Sequence, residues 1–341
     1  MFSEVIMKKI LILLAVVFLG VSFVTGGAVS CSSASLKAIK EKSDYTFLIC
    51  GLDNAAENTD AIILFNYNVK TNDASFVQIP RDTYADYSQS VKKINSIYPS
   101  ARATSMSQKD SMQRLSDFVS DTLGVRIDGY IAFTLDSLTR LIDAVGGVDI
   151  DLPSDINFTD PDGNQSSLSA GRHHLSGEEA VRFIRYRDGY ALGDLGRIDA
   201  QKFFLRAFVD KLKTAINIKL IAKSAVKKEG GTVTNIKISD VLGIALKLRN
   251  RLKECDVRYA NLPGTADKMD DGRWYYFANR SASEGLINSL GLAQTDAFDK
   301  NQRLLSKENE KTIDFYNNDT TKWRILDDND LLNIEIKEKS A

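Results

Sequence analysis

Histidine is almost missing from this 341-residue chain: His173 and His174 stand side by side and there are no others. A histidine-ligated zinc site or a histidine-based nucleophilic triad therefore has little to draw on. Cysteine is nearly as scarce. Cys31, Cys50 and Cys255 form no C-x-x-C pair and make no disulfide framework. One Cys50–Cys255 bridge is open to the chain, two unpaired buried thiols are the simpler reading, and no redox chemistry follows. An excess of either charge is also absent. With 44 Lys and Arg against 45 Asp and Glu, the formal net charge is −1, which removes the global electrostatic case for nucleic acid. Positive charge can matter here only where it clusters. What the chain does have is apolar content, 43% against 26% charged, enough for a sizeable core in one large domain or two small ones.

The apolar residues are unevenly spread. Ile10 to Ser30 contains no charged residue, and Lys8 and Lys9 stand directly before it. A stretch of that length spans a bilayer as a helix, and lysines ahead of it keep that end cytoplasmic and send the rest outside. Met7-Lys8-Lys9 would also serve as a start. Two other readings stay open: a cleaved signal peptide, given the small residues Gly26 to Ser30, and a lipoprotein, given Ala28-Val29-Ser30-Cys31 without the usual leucine. All three put the remainder outside the cytoplasm.

Residues 32–43 read as a polar linker. Tyr45 to Gly51, Ala61 to Tyr67 and Ala74 to Ile79 are short apolar runs of strand length, the third ended by Pro80. Met112, Leu115, Phe118, Val119 and Leu123 carry helical spacing over 108–123. A strand over Tyr130 to Phe133 follows, then a helix through Leu135, Leu138, Leu141, Ile142 and Val145, stopped by Gly146-Gly147, and a strand over Val148 to Leu152. Residues 154–172 are polar, a loop or small hairpin. Ser176 with Glu179 forms a capping box. A longer helix follows, with Phe203, Phe204, Ala207, Phe208 and Leu212 on one face; 226–236 break the pattern and 240–253 return to a basic amphipathic helix. The alternation predicts an α/β sandwich with helices on the sheet faces.

Several residues could carry chemistry. Asp53 follows the first strand and Asp60 opens the second, so two carboxylates can converge at one sheet edge and hold Mg²⁺ with waters and substrate phosphates; the plainer reading is solvated strand caps. Pro80-Arg81-Asp82 reads as a turn with a local ion pair. In Arg182 to Arg187, Arg185 and Arg187 share a face only where the chain is extended, and two such guanidiniums suit a phosphate or pyrophosphate between them. Asp194-Leu195-Gly196-Arg197 opens the long helix. An arginine there works against the backbone dipole unless an anion is bound beside it.

In order along the chain, Gly51-Leu52-Asp53, Thr59-Asp60, Ile79-Pro80-Arg81-Asp82-Thr83, Lys93-Ile94-Asn95 with Tyr98, Leu141 to Val148, Leu175-Ser176-Gly177, Arg185, Arg187, Asp194, Gly196-Arg197, Gln201 and Leu262-Pro263-Gly264 resemble the LytR–CpsA–Psr family of cell-wall glycopolymer ligases. The resemblance implies a three-layer α/β/α sandwich with a central mixed sheet over 44–292. Before it would lie a short cytoplasmic end (1–9), the anchor (10–30) and the linker (31–43); a charged extension (293–341) would follow. It implies an apolar pocket for a polyprenyl chain, with Asp53 and Asp60 holding Mg²⁺. Arg81, Arg185, Arg187, Arg197 and Gln201 would bind the pyrophosphate, and Asp194 would steer Arg197 or move a proton. The implied reaction passes a glycopolymer from a polyprenyl-pyrophosphate carrier at the membrane to a peptidoglycan hydroxyl, without nucleic acid. Two positions depart from the family's pattern: Asn58 and Ala200 stand where arginines are frequent. A non-catalytic polyprenyl-phosphate scaffold and a polyprenyl pyrophosphatase remain alternatives; a membrane-tethered transcriptional regulator fits neither the charge balance nor the outside location.

Overall fold

The computed structural model describes residues 44–53, 58–152, 155–159, 165–186, 194–214, 231–236 and 255–292. The expected anchor and linker, the basic helix over 240–253 and the C-terminal extension lie outside them. Among the described residues no helix is long and apolar enough to cross a membrane.

The first three apolar runs form an antiparallel meander, β1 (Asp44–Leu52), β2 (Thr59–Asn68) and β3 (Asp73–Ile79). A 3₁₀ turn (Ile94–Ser96) leads into α1 (Ile97–Ala103). The expected 108–123 helix is α2 (Gln108–Leu123), started by the Ser107 side chain accepting from the Asp110 amide and ended by left-handed Gly124. Then come β4 (Gly129–Phe133), α3 (Leu135–Ala144) and β5 (Val148–Leu152).

The polar stretch after β5 is more ordered than a single loop. It folds as a hairpin of β6 (Ile156–Thr159) and β7 (Gln165–Leu168), and then as β8 (Gly171–Leu175), which pairs antiparallel with β5. The capping box is present at the start of α4 (Gly177–Arg185), and α5 (Asp194–Thr214) is the long helix. The remaining elements are β9 (Val233–Thr234), β10 (Asp256–Asn261), β11 (Gly264–Lys268), β12 (Trp274–Ala278) and α6 (Arg280–Ser289). Of the region expected to break the pattern, Val233–Thr234 pairs at the sheet edge with β4.

The central sheet is mixed, in the order β10-β3-β2-β1-β4-β9. β4 is parallel to β1 and β10 to β3; β2 is antiparallel to both of its neighbours. The strands β1, β3, β4 and β10 therefore all end at one edge, where open α/β sheets place their ligands.

Period-two alternation sends the side chains of each strand to two cores. Tyr45 and Phe47 of β1, with Phe65, Phe76 and Ile131, meet α3, α4 and α5. Leu48, Cys50 and Leu52, with Ile62, Leu64 and Val77, meet α1, α2 and α6. Three layers result. Cys50 is buried and unbridged, as expected; Cys255 is also unbridged but only half-buried, because it lies before the edge strand β10.

Two glycines in the quoted motifs have steric reasons. A Cβ on Gly177 would sit 2.3 Å from the Thr139 carbonyl oxygen, so only glycine lets α4 start against α3, where its amide donates to Asp143 Oδ1 at 2.7 Å. Gly147 takes φ +74 in the turn between α3 and β5, and a side chain there would strike His174 and the Leu175 carbonyl.

Candidate functional site

The first core is not filled. Between the sheet and α3, α4 and α5 lies a cavity of about 450 Å³, walled by Ile49, Ile63 and Phe76 of the sheet and by Leu138, Phe204 and Phe208 of the helices. The α5 residues on its wall, Arg197, Gln201, Phe204, Leu205 and Phe208, recur at helical spacing. Phe204 and Phe208 belong to the aromatic face expected from the sequence. That face covers a hollow as well as a core.

The polar residues of the lining are Asp60, Arg81, Arg185, Tyr186, Arg197 and Gln201. Asp60 and Arg81 stand at the edge where β1 and β3 end. The structure thus gathers five of the sequence-selected residues, Asp60, Arg81, Arg185, Arg197 and Gln201, around one apolar cavity. Arg81 Nη1 donates to Asp60 Oδ1 at 2.6 Å. The local Arg81–Asp82 ion pair suggested by the turn is replaced by this longer-range one, and Asp82 instead accepts from Lys93 Nζ at 3.0 Å. The turn itself is held by the Thr83 amide and hydroxyl, both donating to the Pro80 carbonyl.

Arg197 is only 6% exposed although it stands in the first turn of α5, which has its positive dipole end there. Its guanidinium thus belongs to the buried part of the cavity lining, at the helix end that suits a bound anion. Arg185 closes α4 and is exposed, and Tyr186 after it is extended, with φ −60 and ψ 137. Arg187 lies outside the described residues, as does the side chain of Asp194, whose backbone begins α5. Gln201 reaches across from α5, and its Nε2 donates to the Ile184 carbonyl at 3.0 Å. Its amide nitrogen thus holds the last turn of α4 beside Arg185.

Asp53 follows β1 at the same edge and is not part of the cavity wall. Its Oδ2 accepts from Asn58 Nδ2 at 2.7 Å, and its amide donates to the Asn58 carbonyl. Asn58 therefore orients Asp53. Ala200, the other departure, is fully buried in the first core. No group of three or more His, Cys, Asp or Glu that could cage a metal occurs among the described residues. Two carboxylates at one sheet edge suit Mg²⁺, which keeps waters and substrate phosphates in its shell; they do not suit a closed zinc or calcium cage. Burial pushes the Cys50 thiol far up, so this sulfur, turned into the second core, stays protonated and is no nucleophile. Burial also raises the Tyr98 phenol, opposed by the nearby charge of Arg102 and reinforced by that of Asp53.

Comparison with known proteins gives one consistent family. The model of the LytR_cpsA_psr family matches residues 25–290. The polyisoprenyl-teichoic acid--peptidoglycan teichoic acid transferase TagV of Bacillus subtilis is 31% identical over 218 residues; the match covers 61% of this chain and 53% of TagV, about half of that relative. The transferase of the same description named TagU, from Bacillus mycoides, is 27% identical over 257 residues, covering 74% of this chain and 79% of TagU. The crystal structure of B. subtilis TagV superposes with a TM-score of 0.59 at 27% identity, over 73% of this chain and 96% of that one.

Proposed function

The chain belongs to the LytR_cpsA_psr family, and on that premise we propose that it is a glycopolymer transferase working outside the cytoplasm, tethered by its apolar 10–30 segment. The observation that carries the reading is the cavity: an apolar hollow whose mouth gathers Arg81, Arg185 and Arg197 around Asp60. An apolar chain with a phosphorylated head is the molecule such a site complements, because the hollow excludes water while guanidinium forks match phosphate oxygens. The names of TagV and TagU, teichoic acid transferases to peptidoglycan, support the same class of donor and acceptor.

In this reading the polyprenyl chain of the donor lies in the cavity and its pyrophosphate at the mouth, against Arg81, Arg185, Arg187 and Arg197. A peptidoglycan hydroxyl attacks the sugar-linked phosphorus. The new P–O bond forms as the bridging P–O bond breaks, and polyprenyl phosphate leaves with the second phosphorus. Asp194, at the start of α5, is the candidate to take the hydroxyl proton or to steer Arg197. Asp53 and Asp60 would hold Mg²⁺, which when bound neutralises charge on the pyrophosphate oxygens. Catalysis is mainly positioning and charge neutralisation by the arginines. Gln201 acts through Arg185, whose helix end it ties down.

The test is the full chain in detergent with a polyprenyl-pyrophosphate-linked saccharide, Mg²⁺ and peptidoglycan oligomers. Saccharide on peptidoglycan with release of polyprenyl monophosphate is the expected result. Monophosphate release without transfer would make the protein a pyrophosphatase, and tight lipid binding with neither would make it a scaffold.

A further inference from the structure

The hairpin of β11 and β12 carries one side chain that neither core uses. Trp274 is 59% exposed, the one large hydrophobic side chain so exposed among the described residues. Single exposed apolar residues are ordinary, so exposure alone says little. Its placement says more.

Strand β12 is bolted to the turn that carries Arg81. The Tyr276 amide donates to the Asp82 carbonyl at 2.9 Å, and the Tyr84 amide donates to the Tyr276 carbonyl at 2.8 Å. This makes an isolated parallel bridge between Thr83 and Tyr276; Arg81 lies in the turn before the one and Trp274 opens the strand that carries the other. Tyr275 and Phe277 turn into the second core, so Trp274 lies on the opposite face of its strand. Opposite it in register stands exposed Lys268.

The hairpin is also rigid. Tyr275 donates its hydroxyl to Asp271 Oδ2 at 2.7 Å, closing the tip, and Tyr84, Tyr275 and Phe277 pack ring against ring at the foot. An indole held this way loses little conformational entropy when something stacks on it.

We propose that Trp274 is a stacking platform for the glycan strand of the acceptor, placing its hydroxyl beside the Arg81 turn. This rests on the transferase reading and names where its second substrate docks. In-line displacement needs the attacking oxygen opposite the leaving lipid phosphate, hence on the side of the mouth away from the cavity; Trp274 is not part of the cavity wall, and its strand is tied to the segment that follows Arg81. Local charge selects the occupant. From 267 to 274 there are three aspartates, Asp267, Asp270 and Asp271, against Lys268 and Arg273. This slightly acidic rim disfavours an anionic bilayer or a phosphate-rich polymer and suits uncharged pyranose rings, whose apolar faces cover an indole while their hydroxyls meet the flanking carboxylates and amine.

The experiment measures binding of uncharged N-acetylglucosamine oligosaccharides, which present the same pyranose faces as a peptidoglycan glycan strand, to the full chain by titration calorimetry, without donor, for wild type, Trp274→Ala and Trp274→Phe. Trp274→Ala is expected to weaken binding at least about tenfold, as for an aromatic anchor, while Trp274→Phe keeps most of it. In the transfer assay Trp274→Ala should raise the acceptor KM and leave the donor KM in place. Equal glycan affinity for wild type and Trp274→Ala would overturn the proposal. So would a wild type that ignores glycan but loses vesicle binding on Trp274→Ala, which would make the hairpin a membrane contact. Trp274-dependent glycan binding without any transfer by wild type would instead sink the transferase reading and leave the platform standing.

Discussion

Arg81 is shared between two tasks: it answers Asp60 at 2.6 Å and it faces the cavity. Both side chains are part-exposed, so water screens the pair and its loss is expected to lower stability by no more than about 1 kcal/mol. Arg81→Ala should therefore unfold close to wild type in urea while transfer is lost. Arg81→Lys should retain the charge, lose the planar fork and give well below a tenth of wild-type transfer, since lysine does not replace a bidentate guanidinium. Full activity in Arg81→Lys would remove Arg81 from the pyrophosphate. Gln201 makes a different claim. Its Nε2 satisfies the Ile184 carbonyl, one of the acceptors that a helix end leaves over. Gln201→Met keeps the volume and removes the donor, a net loss of about 0.5–1.5 kcal/mol by the usual measure of one hydrogen bond. If Gln201 positions Arg185, donor KM should rise with kcat less affected, and Arg185→Ala should mask the effect in the double mutant; additive losses would mean that Gln201 touches the substrate itself.

The helix that delivers Arg185 depends on its start as much as on its end. Ser176 and Glu179 bond each other's backbone at the N-terminus of α4, and the bonds from the Ser176 amide and hydroxyl hold the Glu179 carboxyl below the usual carboxylate range. A depressed carboxylate contributes stability that is present above its unfolded pKa and is lost as pH falls through its lower folded value. Ser176→Ala should thus destabilise by about 1 kcal/mol at pH 7, and the gap to wild type should narrow in acid as Glu179 is protonated; denaturant melts at pH 7 and at about pH 3 would test it. An unchanged gap would assign the loss to the serine alone. This box was legible in the sequence because its partners are three apart, and α2, α3 and the first three strands were legible because their apolar periods are local. The Asp60–Arg81 pair was not. Its partners are 21 residues apart, and the adjacent Asp82 looked like the natural mate until the fold gave it to Lys93. β9 escaped notice for the same reason, since it exists only through a distant neighbour, β4.

At the scale of the molecule the two faces of the sheet differ in what they enclose. The second face is closed by α1, α2 and α6 over a continuous core, and the first holds the cavity of about 450 Å³ among side chains of the same kind. Apolar periodicity cannot tell the two apart, because Phe204 and Phe208 present one pattern whether they meet protein or a guest. Interiors normally pack to crystal density, so an apolar hollow of this size forgoes dispersion contacts that a filled core would have. A ligand that fills it should recover them and stabilise the whole fold by mass action, about 2.7 kcal/mol at a concentration 100 times its Kd. For a domain of this size that is a rise in Tm of roughly 5–10 °C. Polyprenyl phosphate should produce it, and inorganic pyrophosphate at the same concentration much less, since the arginine mouth alone buries no apolar surface and binds more weakly. Leu138 stands on the cavity wall and is only part-buried, so Leu138→Trp can project into the hollow without overpacking a sealed core. That variant should keep its own Tm, lose the lipid-induced rise and lose transfer. If Leu138→Trp still responded to polyprenyl phosphate as wild type does, the lipid would bind elsewhere, and the hollow would have to be explained without it.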